Sequence, residues 1–360
     1  MVPKSSLLSS VNRLFIIGLM PSSQENYRNI KLLMDQLKLG TLKGLSFSCD
    51  MKMVLLMAKG AYGSSRHSCV FGDGSSPWIQ QCVEMTIGDL KKWHQKFLEA
   101  GERAEAKHFM NCVEETLLPY SDETLISDVI NIMELHILLG VTLKLVDYIK
   151  AVVSKEWVDN IIKKELNISY SYSNGRETLN GNACHKILKG AETFMMKAML
   201  LPDSCSINEV LMAVECLGLF EEVIHTCFGV EIKGDYKLAI KEFCLRFRAL
   251  PRMNFSPKFH IVEQHIIPYL ERRHNMVRLF LYFLISIVYI SDLHPHTLNI
   301  TLFQCEDYEG KGLGFWSEQS FEACHHEFDE FWKKRNVGPD HALYGEKLLE
   351  AVLDWNGRRI

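Results

Sequence analysis

No two cysteines stand in C-x-x-C spacing anywhere in the chain, although eleven are present. A structural zinc module would show such pairs, and a secreted disulfide scaffold would show an even, clustered set. Cysteines spread almost singly from Cys49 to Cys324 read instead as reduced thiols filling small core positions. That predicts a protein of the nucleus or cytoplasm, not a secreted one. Also missing are a GxxxxGK[ST] loop, an HExxH pair and a GxSxG elbow. Nucleotide binding on a phosphate loop, zinc proteolysis and serine hydrolysis therefore have no sequence support.

No apolar run reaches the roughly 20 residues that a membrane helix needs. The most apolar stretch, LFLYFLISIVYI at 279–290, is closed by Arg278 and Asp292. The run LFIIGLM at 14–20 is not followed by a small-residue cleavage site, so it does not read as a signal peptide. Positive charge is not in excess either: 40 Lys and Arg face 44 Asp and Glu, for a net charge of -4. Binding to a nucleic acid would then rest on a local basic groove on an acidic body. No internal repeat or low-complexity tract is present.

A chain of 360 residues, 47% hydrophobic and 23% charged, is ordinary for a globular protein of one large or two modest domains. Helical periodicity runs over 25–39 and ends at Gly40. KGLSFSC at 43–49 alternates like a short strand and delivers Asp50, and the next apolar run, 51–58, fits either a strand or a short helix. Thr86 and Asp89 have capping-box spacing before a helix that Gly101 stops. Further helices are expected within 125–153 and over 183–200, 208–228, 235–250, 254–271, 315–334 and 340–355.

Four groups of residues could carry chemistry. Asp50, at the exit of a strand, could present a carboxylate to a divalent cation, or be a turn aspartate. Glu134 and His136 sit in the apolar run MELHILLG, which suggests a polar pocket or a pair satisfied locally. Glu318 and Glu322 are four apart and share a helix face, with His325 three residues further on. They form either a ligand set or the wet side of an amphipathic helix whose core side is Phe315, Phe321, Phe328 and Phe331. Arg246, Arg248, Arg252 and Lys258 alternate with Phe247, Phe255 and Phe259, a pattern suited to phosphates and stacked bases or to a solvated helix end.

The blocks also have an order. Ser48, Asp50 and Lys52 come first, then Gly63, Ser64, Ser65, Ser68 and Cys69, then Glu134, Leu135, His136 and Gly140. Gly181, Asn182 and Cys184 follow, then Pro257, Lys258, His260, Ile261 and His265, and last the uninterrupted block 312–332 around GLGFWSEQSFEACHH. In this order they resemble transposon-encoded proteins of animal genomes, the DDE-type transposases.

That resemblance implies an α+β, mostly helical fold: a small RNase H-like mixed sheet near the N-terminus embedded in a large helical body. It implies an RNase H-like part over 1–120, a helical body over 121–272, an atypical apolar insertion over 273–309 and C-terminal helices over 310–360. Asp50, Glu134 and Glu318 or Glu322 would be the catalytic acids, with Asp50, Glu318 and Glu322 holding Mg2+ or Mn2+. His136, His260 and His325 would shape the site, and Arg246, Arg248, Arg252 and Lys258 would meet DNA.

The resemblance further implies DNA ends as partner, a homo-oligomer and no membrane. The alternative is a non-catalytic descendant that binds DNA or protein. Two departures bear on this. Val70, Phe71 and Gly72 follow Cys69 where the group's loop has a second cysteine, and no N-terminal DNA-binding module is recognisable. The stretch 277–304 is longer and more apolar than the group's pattern, as a foreign insertion would be.

Overall fold

A computed structural model describes residues 15–21, 26–38, 45–61, 69–72, 82–173, 176–202, 206–274, 283–290, 295–302, 310–316, 327–335, 337–338 and 341–357. The protein is mostly helical. It divides into two compact units. The first comprises Met1–Met133, Arg272–Glu309 and Phe315–Ile360, and the second Glu134–Glu271 with Gly310–Gly314.

The first unit contains β1 (Phe15–Pro21), α1 (Tyr27–Gln36), β2 (Leu45–Ser48), α2 (Met51–Lys59), α3 (Ile87–Ala100) and the short α4 (Ile126–Val129). The second contains α5 (Glu134–Val152), α6 (Lys155–Asn160), β3 (Ser171–Ser173), β4 (Arg176–Thr178), α7 (Gly181–Lys189) and α8 (Ala191–Ala198). It continues through α9 (Ile207–Cys227), α10 (Tyr236–Arg248) and α11 (Pro257–Gln264). The unit boundary falls inside α12 (Ile266–His274). The chain then returns to the first unit with β5 (Phe283–Ile290), β6 (Pro295–Leu302), helical residues 327–333 and α13 (Tyr344–Gly357).

Four strands of the first unit form a mixed sheet in the order β1-β5-β6-β2. β1 runs parallel to β5, from Phe15 opposite Ile285 to Pro21 opposite Ile290. β5 and β6 form an antiparallel hairpin, and β2 pairs antiparallel with β6 from Leu45–Leu302 to Ser48–Asn299. The stretch read from sequence as an insertion thus supplies the two inner strands. Its composition accounts for that: Ile285, Ile287, Val288 and Ile290 are β-branched, and an inner strand can be apolar without alternation.

The ambiguous run after Asp50 is helix α2. Asp50 caps it at one end, and Gly60, at φ +63°, closes the other in the left-handed conformation that glycine adopts at no cost. Met53 through Lys59 are all buried, so α2 lies inside the unit, not on its surface. The capping box of α3 is formed by Thr86 and Asp89. The expected continuous helix over 254–271 is instead α11 and α12, broken at His265. Pro268 explains the break: it lacks an N–H and would clash with the carbonyl four residues back, but it fits the first turn of a new helix.

In the second unit α9 is central, packing against α5, α7, α8 and α10. Its core is aromatic: Phe220 and Phe243 lie 4.9 Å apart between ring centres, and Phe247 stacks on Phe259 at 4.3 Å. No described helix is long and apolar enough to cross a membrane.

Candidate functional site

β2 ends in a buried polar network in the first unit. Ser46 and Ser48 point to one side of the strand, as its period of two requires, and both are buried. Asn131 donates through Nδ2 to Ser48 Oγ at 2.7 Å and to Ser46 Oγ at 3.3 Å. Arg273 donates to Asn131 Oδ1 at 3.0 Å, and the Asn131 N–H to the Phe47 carbonyl at 2.8 Å. Its neighbour Arg272 is gripped by the Glu84 carboxylate, by Asp128 Oδ1 at 3.0 Å from Nε, and by Ser127 Oγ at 2.6 Å.

Asp50 follows two residues beyond Ser48. One carboxylate oxygen accepts the Met53 N–H at 2.8 Å as the cap of α2. The other accepts no hydrogen bond among the described residues, and the side chain is half-buried. A divalent cation in a two-metal site draws on several carboxylates. Asp50 offers one oxygen, while Glu84 and Asp128 are bound to Arg272. The described residues do not by themselves fit Mg2+ or Mn2+. Glu318, Glu322 and His325 lie outside the described residues.

Glu134 opens α5 in the second unit, 1% exposed, and His136 beside it is half-buried. His260 and His265 come together across the break between α11 and α12, with their Nε2 atoms 3.2 Å apart and both side chains buried. Burial pushes the His260 pKa down; Glu263 opposes this and Arg248 adds to it.

The cationic residues read as a nucleic-acid stripe are paired internally. Arg246 binds Glu215, Arg248 binds Glu263 through both nitrogens while lying over Phe255 and Phe259, and Arg252 binds Glu209 at 2.9 Å. Phe247 and Phe259 are buried in the aromatic core and offer no face to a base. Lys258 lays its stem across Gly140, where a Cβ would collide with it.

Gly310, Gly312 and Gly314, which lead into the C-terminal block, serve a close backbone pairing. Residues 310–314 pair with 229–232: Ile232 N–H donates to the Gly310 carbonyl at 2.7 Å, and Gly312 and Gly314 donate to the carbonyls of Val230 and Gly229 at 3.0 and 3.1 Å. A Cβ at 312 would strike Gly229 O, and one at 314 would lie 2.6 Å from Phe228 O. Only glycine permits backbone to approach backbone this closely.

Lys59 was not singled out by sequence reasoning. It is fully buried, and its Nζ donates to the Cys69 carbonyl at 2.7 Å. Burial pushes its pKa below 10.5, against the opposing influence of the Cys112, Cys69 and Cys82 thiols. Burial likewise pushes the thiols of Cys69 and Cys112 up to about 11. The available signal was a lone charge ending the apolar run MVLLMAK immediately before Gly60. No protein-family model matches the chain, and a search of curated proteins returns no match.

Proposed function

We propose that this is a transposase-derived protein of the DDE type, whose ancestral reaction is divalent-metal-dependent cleavage and transfer of DNA strands. The observation that carries the reading is Asp50, a half-buried carboxylate at a strand exit with one oxygen unbonded among the described residues. The order of the sequence blocks through Glu318 and Glu322 supports it, as does a mixed sheet ending beside Asp50, on which an RNase H-like core could be built. In this reading Mg2+ or Mn2+, held by Asp50 with Glu318 or Glu322, would polarise the phosphate and activate the attacking hydroxyl or water. DNA ends are the partner, and the nucleus is the place of action.

The test is nicking or strand transfer on DNA in Mn2+, comparing wild type with Asp50→Asn. Asparagine caps a helix as well as aspartate, so the variant should keep its fold while losing the reaction. Divalent-dependent nicking that survives Asp50→Asn, or is absent from the wild type, defeats the catalytic reading.

A second reading is a non-catalytic descendant that binds DNA or protein. It is favoured by the engagement of Glu84 and Asp128 with Arg272, which leaves Asp50 with no carboxylate partner among them. Salt-sensitive retention of DNA without nicking would support it.

A further inference from the structure

The second unit carries an apolar groove whose rim is acidic. It opens between α8 and α9, with a volume of about 320 Å³. Met195, Val214, Gly218 and Leu219 line it, and Glu192 and Glu215 stand among them. A Cβ built on Gly218 meets only Ala191 Cβ, at 3.9 Å, so the floor of the groove is bare there. Met196, Met199 and Leu200, 61%, 67% and 80% exposed, continue the apolar surface along α8 and the turn after it. Unbranched methionines adapt to a partner's shape, and exposed apolar side chains gathered in one place mark an interaction surface.

The charge left over around the groove is negative. Glu192 lines it, Glu222 stands one helical turn beyond Gly218 on α9, and Glu242 stands one turn before Arg246 on α10. All three are exposed, and none pairs with a cation among the described residues. Arg246 donates through Nε to Glu215 at 2.6 Å, which brings the Glu242 side of α10 to the border and neutralises the fourth acid. The other cations nearby are engaged or turned aside. Lys197 is bound to Glu165 Oε1 at 2.7 Å, and Lys241 lies about 100° round α10 from Glu242.

We infer that the groove docks an amphipathic helix of a partner protein. Its apolar face would lie on Met195, Gly218 and Leu219, and its flanking lysines or arginines would meet Glu192, Glu222 and Glu242. The walls are helices whose backbone groups are already bonded, so an extended segment finds no edge to pair with, while a helix satisfies its own backbone. The same acids repel the phosphates of nucleic acids and of anionic lipids. A second copy brings no matching charge. Its exposed Leu238 and Leu245 stand beside Lys241 and Glu242 together, and its exposed Leu349 and Leu353 on α13 stand beside Glu346 and Glu350. The docking is independent of any reaction at Asp50.

The test is calorimetric titration of the full chain with two synthetic helical peptides of about 18 residues, long enough to cover α8 and the turn after it. Both carry leucines on one face; the other face is lysine in one peptide and glutamate in its control. The lysine peptide should bind with a Kd on the order of 10 μM, and the control at least about tenfold more weakly. Gly218→Phe, which fills the floor, should weaken the lysine peptide at least about tenfold. Glu192→Lys combined with Glu222→Lys should reverse the preference between the peptides. Both glutamates are exposed, so unchanged circular dichroism and melting separates lost docking from lost fold. Lysine-peptide binding that is absent at about 500 μM, or indifferent to Gly218→Phe, overturns the inference. So does equal binding of the two peptides, or a wild-type dimer that Gly218→Phe dissociates, which would give the groove to a second copy.

Discussion

Replacing Lys59 by methionine isolates the one lysine amine that is fully buried among the described residues. The lysine donates to the Cys69 carbonyl at 2.7 Å, and methionine fills similar space without a donor. Losing that buried hydrogen bond costs about 1–3 kcal/mol at every pH. The second effect depends on pH and has a fixed sign. The folded-state pKa of Lys59 lies below its ordinary 10.5, so in the window below 10.5 the unfolded chain binds a proton that the folded chain refuses. Stability from this group is full above 10.5 and is lost as pH falls, by at most about 1.4 kcal/mol per pH unit, down to the folded-state pKa. The wild type should therefore lose stability relative to Lys59→Met as pH is lowered from 10.5 toward the folded-state pKa. The raised thiols of Cys69 and Cys112 act oppositely, losing their contribution between 9.0 and about 11, but both proteins carry them, so the comparison is of the difference between the two. Urea unfolding followed by tryptophan fluorescence measures the difference. If the two proteins keep a constant separation from pH 10.5 down to about 7, Lys59 does not titrate abnormally, and its burial as described is wrong.

Gly312→Ala should destabilise by about 2–4 kcal/mol, because the new methyl strikes Gly229 O and backbone must move. Chemical denaturation reads it, and a neutral result would contradict the close pairing of 310–314 with 229–232. Thr86→Ala removes the acceptor of the Asp89 N–H at 3.1 Å and should cost about 1–2 kcal/mol by the same measurement. Burial lowers the pKa values of His260 and His185 below 6.5, so both contribute stability that is present above pH 6.5 and lost as pH falls through their folded-state values. Melting temperature should fall between about pH 6.5 and 5, and His260→Gln should flatten part of that fall.

What could be read from the sequence was local. The capping box at Thr86 and Asp89, the stop at Gly101 and the helical periods of α9 and α10 each depend on residues within a few positions of one another. The inner strands β5 and β6 depend on partners more than two hundred residues earlier in the chain, and an apolar run without alternation does not announce such pairing. The break at His265 was foreseeable from Pro268; the expected continuous helix gave too little weight to the missing N–H. The arginines show the limit most clearly. Interleaved with phenylalanines, Arg246, Arg248 and Arg252 had the composition of a phosphate track. Their partners Glu215, Glu263 and Glu209 come from α9 and α11 and could not be matched to them from spacing alone.

The same distinction bears on Asp50. A capping aspartate and a metal-binding aspartate look alike in sequence, since both follow a strand and precede a helix. The structure separates the two uses by atom: one oxygen holds the Met53 N–H, and the other remains available to solvent or to a ligand. A helix N-terminus and a divalent cation are both served by a carboxylate oxygen, and Asp50 has two. Folding and chemistry therefore do not compete at this residue. Asparagine would keep the capping bond and remove the charge, which makes position 50 the place where ancestry, as written in the motif order, can be told apart from activity.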